Sequence, residues 1–411
     1  MSGLNGCVRI HFSLRLKAEV VRLSFRRVAG ILFIGLLIEA AFVAGLVLAP
    51  ALLPISPLRL SGSSRAPLLD EAWDLTENSF YGTVPSDTVR AYAAIRGMMS
   101  AYNDPYTVFV EPPQTQLQSQ QLAGKFGGIG ASLRREADGR VVLSPFPDQP
   151  ADKAGVKEGD VLIAIADRSI TPDVTFDTIS TLLRGEVGTQ VTIGVLRGPD
   201  RLSLTITRAE IAVPSVTWRV LSEAPTVGYA AISIFAQTTK DELVKAVADL
   251  TSHGAQKLIL DLRDNGGGLL DAAVDVAGQF VPGVVVIEAR RNGDERELVG
   301  SATGSAREIP LVILVNGNTA SASEIVAGAI QDDGRGKLIG EQTYGKGSVQ
   351  NILPLSDKSS LHVTVAQWLT PKRRQITGHG LTPDVIVART PDDVAAGRDP
   401  QLAKAIEELT R

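Results

Sequence analysis

The fold is decided by residues 257–281, which read KLILDLRDNGGGLLDAAVDVAGQFV. The first part, KLILDLR, is an apolar run with the length of a buried strand, and the last part has apolar residues at helical spacing. The three glycines between them permit a tight turn and leave backbone N–H groups exposed at the start of the helix. This order predicts an α/β architecture, with side chains at the strand ends free for chemistry.

The same alternation of strands and helices extends on both sides of this segment, from residue 211 to about residue 389. Residues 391–411 then predict a polar C-terminal helix, because their apolar residues recur at helical spacing. The predicted packing face of that helix carries Leu402, Ala405, Ile406 and Leu409. We therefore predict an α/β core over residues 209–390, followed by a terminal helix.

Two further blocks precede this core. Residues 116–208 contain short apolar runs separated by turn signals such as Asp138-Gly139, which predicts a small β-rich module. Residues 66–115 have apolar residues at near-helical spacing and predict an N-terminal helical segment. The module begins with FGGIG at residues 126–130, where glycines allow N–H groups to turn toward one point and form an anion-binding concavity.

The N-terminal end has the pattern of a membrane anchor. Residues 1–27 carry six basic residues against one acidic residue, and residues 28–49 read VAGILFIGLLIEAAFVAGLVLA, with one charge. As a helix, this run spans about 33 Å, enough to cross a bilayer of roughly 30 Å. The positive-inside bias keeps the N-terminus in the cytoplasm and places the rest outside. A cleaved signal peptide is the alternative; both interpretations export everything after the linker at residues 50–65.

Composition excludes several classes of chemistry. The chain has 411 residues and a net charge of −4, and the part after the basic N-terminal segment is acidic, so we expect no nucleic-acid partner. Its single cysteine, Cys7, excludes an intrachain disulfide framework and a cysteine-rich zinc site. The four histidines are widely separated, without a metal-binding spacing. We therefore predict neither a metal nor another cofactor.

Three segments of the core carry candidate chemistry, each at the end of a strand. They are DNGGG at residues 264–268, NGNTASASE at residues 316–324 and TYGKGSVQ at residues 343–350. A serine at a helix start either caps the helix or is a nucleophile whose oxyanion the helical amides stabilise. Thr319, Ser321 and Ser323 offer more hydroxyls than capping requires.

The lysine of the third segment, Lys346, is flanked by glycines. Desolvation beneath an apolar strand would lower the pKa of its amine, and a neutral amine can act as general base for a serine. A solvated loop cation is the alternative for a glycine-flanked lysine. A phosphate-binding P-loop is excluded because the glycine spacing does not match.

Within residues 116–208, the stretches FGGIG, PADKAGVKEGDVLIAIADRSI and LLRGEVGT together resemble a PDZ domain of exported bacterial proteases. The resemblance implies that the amides of Gly128, Ile129 and Gly130 bind the terminal carboxylate of a peptide, which adds a strand to the sheet edge. It also suggests that Arg184 senses occupancy of the groove. A plain glycine turn and a surface arginine are the alternatives.

Residues 69–387 as a whole resemble the C-terminal processing peptidases, also called tail-specific proteases. TASASEIVAGAI, GEQTYGKGSVQ and LDLRDNGGGLL carry the resemblance, and DPYTVFVEP and GLTPDVIV flank them. The family pattern places the serine 25 residues before the lysine, which selects Ser321 over Ser323 as the nucleophile. It implies that Lys346 is the general base and that Gln350 orients its amine. The implied oxyanion hole is the N–H of Ala322 with that of Gly267 or a direct neighbour.

This resemblance implies an α/β and β fold, with a ClpP/crotonase-like α/β protease core and an inserted PDZ domain. The apolar pattern adds an N-terminal helical segment and one transmembrane helix. The expected activity is that of a serine endopeptidase of the bacterial inner membrane, with its catalytic part on the periplasmic side. The expected partners are protein substrates with apolar C-termini, the membrane through residues 28–49, and a second copy or an adaptor. The PDZ module is also expected to gate the protease.

Two alternatives for the activity stay open at this stage. The chain can be a catalytically silent PDZ scaffold that delivers substrates to another protease. It can also be a Ser-His-Asp hydrolase, which would require His253, His362 or His379 close to the serine.

Overall fold

The computed structural model describes residues 66–411. The basic segment 1–27, the apolar span 28–49 and the linker 50–65 lie outside the described residues, and what the sequence predicts for them stays a prediction. Among the helices of residues 66–411, none is both long enough and apolar enough to cross a membrane. The chain divides into two units, Met1–Pro85 and Ser86–Arg411, which we describe separately.

The first unit contains one helix in its described part, α1 (Pro67–Ser79). Pro67 lies in the first turn of the helix, where the absence of its N–H removes no hydrogen bond. The helix agrees with the apolar spacing of this block.

The second unit begins with α2 (Asp87–Ser100), β1 (Val108–Val110) and α3 (Pro112–Ala123). Helix α3 corrects the sequence analysis, which began the β-rich module at residue 116. Its proline pair starts the helix, but its body is rich in glutamine and has no continuous apolar stripe, so hydrophobic periodicity does not reveal it. Gly124, with φ 69°, ends the helix.

The β-rich module follows directly. Its elements are β2 (Lys125–Gly128), β3 (Ala131–Arg135), β4 (Val141–Pro145), α4 (Pro150–Lys153), β5 (Asp160–Ile165), β6 (Arg168–Ser169), α5 (Phe176–Leu183), β7 (Gln190–Arg197), β8 (Asp200–Thr207) and β9 (Ala209–Ala212). The main sheet has the order β3-β4-β5-β7-β8, with β6 beside β5. Strands β2 and β9 pair antiparallel, so the chain enters and leaves the module through one two-stranded ribbon. The module is thus inserted as a self-contained unit with its own apolar core.

The elements of the α/β core come next in the chain. They are β10 (Val216–Leu221), β11 (Ala224–Ile232), α6 (Thr239–Ser252), β12 (Lys257–Asp261), α7 (Leu270–Ala277), β13 (Val284–Arg290), β14 (Glu295–Val299), β15 (Leu311–Val315), α8 (Ala322–Asp333), β16 (Lys337–Gly340), β17 (Ser348–Pro354), β18 (Ser360–Leu369), β19 (Val385–Ile386), α9 (Pro391–Ala395) and α10 (Pro400–Thr410). One sheet has the order β10-β11-β12-β15-β16-β19 and is parallel from β11 onward.

Successive residues of the central strands pack on opposite faces of this sheet, as strand geometry requires. Leu258 and Leu260 of β12 pack with α6, α7 and α8, whereas Ile259 packs on the other face with α10. Helix α10 buries Ala405 there, with Leu402, Ile406 and Leu409 beside it, which confirms the predicted packing face. The α/β layering is therefore as predicted, and the ClpP/crotonase likeness of the core stays a prediction.

A second, antiparallel sheet has the order β1-β18-β13-β14, with β17 also paired to β18. It joins residues that are distant in sequence, because Val108 in β1 lies opposite His362 in β18. The loop between β16 and β17 leads from the parallel sheet to this one. That loop contains Lys346, so the junction of the two sheets positions the candidate base.

Candidate active site

Ser321 lies at the turn between the buried strand β15 and helix α8. Its backbone has φ 56° and ψ −117°, a sparsely populated combination for a residue other than glycine. Its side chain lines a cleft of about 340 Å³. A serine held on a sharp strand-to-helix turn is an arrangement that exposes a nucleophilic hydroxyl.

The glycine turn of residues 264–268 packs directly against this serine. A Cβ on Gly267 would lie 2.9 Å from Ser321 Cβ and 3.1 Å from the Ala322 nitrogen, and its φ of 113° also favours glycine. Asp264 secures the turn, because its Oδ1 accepts hydrogen bonds from the side-chain amides of Asn316 (2.9 Å) and Asn318 (2.9 Å). These two bonds lower the pKa of the Asp264 carboxyl.

The two N–H groups implied as oxyanion donors, those of Ala322 and Gly267, differ in their hydrogen bonding. The Ala322 N–H has no acceptor among residues 66–411, as expected at the start of a helix. The Gly267 N–H donates instead to Asn265 Oδ1 (2.9 Å). Gly267 can therefore bind an oxyanion only if this bond is broken or shared. Its neighbour Gly268 lines the cleft, and the Gly268 N–H has no acceptor in the described part of the chain.

Lys346 lines the same cleft, and its Nζ lies 4.9 Å from the centroid of the Tyr106 ring. Burial lowers the pKa of the Lys346 amine, and the Asp104 carboxylate partly opposes this shift. No carboxylate lies within ion-pair distance of the amine in the part of the chain that the structure describes. The lysine is thus desolvated without a direct counter-ion, the condition under which an amine loses its proton most readily.

Glu324 joins the serine and lysine segments, and sequence analysis did not identify it. Its side chain is fully buried in the first turn of α8. Oε2 accepts hydrogen bonds from the backbone N–H of Ser321 (2.8 Å) and of Lys346 (2.9 Å). Oε1 accepts from the Gly345 N–H (2.7 Å) and the Thr343 hydroxyl (2.5 Å). One carboxylate therefore fixes the backbone of both candidate catalytic residues.

Gln350 also lines the cleft, but its hydrogen bonds differ from those that the resemblance implies. Its Nε2 donates to Ser348 Oγ (2.7 Å) and Thr364 Oγ1 (3.4 Å), and no hydrogen bond to Lys346 occurs among the described residues. Its role in orienting the lysine stays a prediction.

The histidines predicted for a Ser-His-Asp hydrolase are not arranged as a triad. His253 and His379 are exposed and do not line the cleft. His362 lines it, but within residues 66–411 no carboxylate is hydrogen-bonded to its ring. The rest of the lining is largely apolar and includes Leu122, Ile234, Leu269, Leu270, Ile325, Val349, Ile352 and Trp368.

The β-rich module has a separate groove of about 300 Å³ between β3 and α5. Gly128, Ile129 and Gly130 lie at one end of it, and the N–H groups of Ile129 and Gly130 have no acceptor among the described residues. The groove walls are apolar and include Leu133, Phe146, Phe176 and Leu183. Such a groove suits an apolar side chain next to a carboxylate.

Arg184 lies at the edge of this groove, with its guanidinium carbon 4.3 Å from the centroid of the Phe126 ring. The arginine is therefore held against an aromatic side chain of the groove, a cation–π contact. Phe126 belongs to β2, which directly follows helix α3.

Comparison with known proteins identifies both the α/β core and the β-rich module. The model of peptidase family S41 matches residues 226–387, and the model of the PDZ domain matches residues 127–207. A probable CtpA-like serine protease of Staphylococcus aureus (strain COL) is 33% identical over 362 residues, covering 86% of this chain and 72% of the relative. The chain belongs to peptidase family S41. It is a serine-type peptidase with a PDZ domain.

Two other proteins are similar to this S41 peptidase. A probable CtpA-like serine protease of Staphylococcus saprophyticus is 34% identical over 319 residues, covering 77% of this chain and 64% of the relative. Among solved structures, the photosystem II D1 C-terminal processing protease is 31% identical, with a TM-score of 0.47, covering 82% of this chain and 91% of the other.

Three groups around the S41 cleft were missed from the sequence. Asp104 and Tyr106 lie in the DPYT stretch, which was quoted as a flank without a role, although both act on the Lys346 amine. Glu324 had a signal: a serine followed three residues later by glutamate at a helix start is a capping-box pattern. The pattern does not reveal that the carboxylate also binds a loop 20 residues away.

Glu324→Gln should lower the catalytic rate by about 100-fold and the free energy of unfolding by about 3 kcal/mol. The amide keeps the shape of the side chain but has one accepting oxygen, so some of the four donors lose their acceptor in a buried place. Urea unfolding and reporter cleavage measure the two effects. Asp333→Asn, an exposed change in the same helix, should alter neither. A normal rate with lowered stability would show that Glu324 has only a structural role.

Proposed function

We propose that this S41 peptidase is a membrane-anchored endopeptidase that cleaves proteins near their C-termini with a Ser321/Lys346 dyad. The observation that carries the proposal is the shared cleft: a strained serine and a desolvated lysine line it together, and Glu324 holds both of their backbones. The family match supports a serine peptidase. The choice of Lys346 as the general base rests on its position in the cleft and on its burial.

In this mechanism the neutral Lys346 amine takes the proton of the Ser321 hydroxyl as the serine oxygen attacks the scissile carbonyl. The Ala322 N–H and one amide of the glycine turn stabilise the oxyanion. The protonated lysine returns its proton to the leaving amine, and water then hydrolyses the acyl-enzyme. A serine/lysine pair is one of the known variants of the serine triad.

The PDZ domain is proposed to bind the C-terminus of the substrate. The free amides of Ile129 and Gly130 would receive the carboxylate, and the apolar walls would receive the last side chain. Helix α3 supports the proposed gating, because Leu122 lines the catalytic cleft and Ala123 lines a groove shared with Gly127 and Gly185 of the PDZ domain. We propose that residues 28–49 anchor the chain in the bacterial inner membrane, with the peptidase on the periplasmic side.

The test is mass spectrometry of peptides released from a reporter protein with an apolar C-terminal tail. The detergent-solubilised full chain should cleave the reporter near that tail, and Ser321→Ala should not. Amidation of the reporter C-terminus should raise KM by about tenfold or more, since a charged hydrogen-bonding partner is lost. Absence of any product with the unmodified enzyme would favour the silent PDZ scaffold.

The groove itself is tested by Leu133→Asp, which places a charge where the apolar side chain of the substrate is expected. KM for the tailed reporter should rise by about tenfold, because burial of one apolar side chain is worth roughly 1.5–3 kcal/mol. Ser132→Asp, on the exposed face of the same strand, is the matched control. Equal KM values for the two variants, both folded, would exclude this groove as the binding site.

A further inference from the structure

Helix α3 covers one side of the catalytic cleft and is attached at both ends. Near its start, Thr115 Oγ1 lies 2.9 Å from Ser360 Oγ of β18 and donates to the Val110 carbonyl (3.2 Å). Near its end, the Leu122 carbonyl accepts a hydrogen bond from the Gln237 N–H (2.9 Å). The cleft therefore has a helical wall formed by α3 and a sheet wall formed by β17 and β18.

Each wall carries a buried polar atom without a hydrogen-bond partner among residues 66–411: Gln118 Oε1 on the helix and His362 Nε2 on the sheet. Both side chains line the cleft that holds Ser321 and Lys346. Gln118 is three residues after Thr115 on α3, so the two share a helix face. His362 is two residues after Ser360 on β18, so these two share a strand face. Gln118 and His362 thus lie on the same faces as Thr115 and Ser360, whose hydroxyls join helix α3 to strand β18.

Buried polar atoms in folded proteins nearly always have a partner, and a bound ligand is one explanation for an atom that has none. Gln350, another polar side chain of this cleft, is already bonded to Ser348 and Thr364. An amide oxygen only accepts a hydrogen bond, whereas a neutral imidazole donates from one nitrogen. A polypeptide backbone offers one N–H and one C=O per residue, which matches this pair of atoms.

Burial lowers the pKa of the His362 imidazole, which favours its neutral form whichever state Lys346 is in. Its direct neighbours across the strands are Val108 and Ile352, which do not titrate. Asp104 and Tyr106 act on the lysine from the segment before β1.

We propose that Gln118 and His362 bind the main chain of the substrate beside the scissile bond. Gln118 Oε1 accepts from a peptide N–H, and His362 Nε2–H donates to a peptide C=O. The ligand is an extended polypeptide segment, recognised through its backbone and therefore with little dependence on its sequence. The inference rests on the proposed function of the Ser321/Lys346 cleft and adds substrate-binding residues to it.

The first experiment measures kcat and KM for Gln118→Ala and His362→Ala, and the Kd of the tailed reporter for each change in a Ser321→Ala background. KM and Kd should rise by about tenfold, with kcat changed less than about threefold. His362→Gln keeps an N–H donor and should restore much of the affinity, without a dependence on pH. Gln114→Ala, exposed on the same helix, and His253→Ala, exposed elsewhere, should resemble the unmodified enzyme.

The second experiment uses reporter peptides with a single N-methylated amide at successive positions around the cleaved bond. At one position, methylation should weaken binding by about tenfold in the Ser321→Ala protein and have little further effect once Gln118→Ala is added. Equal losses in both backgrounds at every position, or normal KM and Kd for Gln118→Ala and His362→Ala, would overturn the inference. Cleavage by the Ser321→Ala protein would instead overturn the proposed function. The two failures are distinguishable, because Kd measures binding separately from cleavage.

Discussion

Ser321→Ala should abolish cleavage of the tailed reporter, with a loss of about 10⁴-fold or more in kcat/KM. The hydroxyl is the proposed nucleophile, and its removal leaves only the oxyanion amides and the binding groove. The fold should be unaffected, because the backbone N–H of residue 321 still donates to Glu324. The measurement is product formation over time, together with reporter binding to the inactive variant.

Ser323→Ala is the matched control for this change, since it lies two residues further along the same helix. Its hydroxyl is buried and donates to the Asn265 carbonyl (2.9 Å), so its loss should lower the free energy of unfolding by about 1 kcal/mol. Cleavage should stay within about tenfold of the unmodified enzyme. If Ser323→Ala were inactive and Ser321→Ala active, the nucleophile would have been assigned to the wrong serine.

Lys346→Met and Lys346→Arg should each reduce kcat by about 10³-fold. Methionine has a similar length but no amine, and arginine stays protonated at all working pH values, so neither side chain can take the serine proton. Both should still bind the reporter. Lys372→Met, at an exposed lysine, should retain full activity. An active Lys346→Arg enzyme would exclude Lys346 as the general base.

The pH dependence follows from the same lysine. In the proposed mechanism cleavage needs the neutral amine, so kcat/KM should rise with pH as Lys346 loses its proton. The lowered pKa of Lys346 moves this rise below the range of an ordinary lysine. The Asp104 carboxylate favours the protonated amine, so Asp104→Asn should move the rise to lower pH still. Measurement of kcat/KM against pH for the unmodified enzyme and for Asp104→Asn tests the direction of this shift. A shift to higher pH in Asp104→Asn would contradict this electrostatic account.

Much of the core could be predicted from the sequence, because buried strands and amphipathic helices carry regular apolar patterns. The run at residues 257–281 folds as β12, the glycine turn and α7, as predicted. Helix α3 escaped prediction, since its sequence, PPQTQLQSQQLA, lacks an apolar stripe and the helix is held by hydrogen bonds at its ends. Local pattern cannot reveal an element that depends on distant contacts.

In the site, too, some residues could be predicted from the sequence and others could not. The resemblance to the C-terminal processing peptidases implies Ser321 and Lys346, and the structure brings both to one cleft. Asp104 lies more than 200 residues before Lys346 in sequence and reaches it only through the pairing of β1 with β18. The hydrogen bond from the Gly267 N–H to Asn265 Oδ1 could not be predicted from the sequence either, because a glycine-rich turn permits several peptide orientations.

In the proposed mechanism, the shared carboxylate of Glu324 also links activity to folding. The serine and lysine backbones are aligned by one buried group, which can accept its four hydrogen bonds only after α8 and the loop of residues 343–346 have packed together. A chain in which these two segments have not packed therefore lacks the alignment of Ser321 and Lys346 that the proposed mechanism requires. Under the proposed mechanism we therefore expect proteolytic activity only from folded copies, so that an incompletely folded copy does not cleave its neighbours.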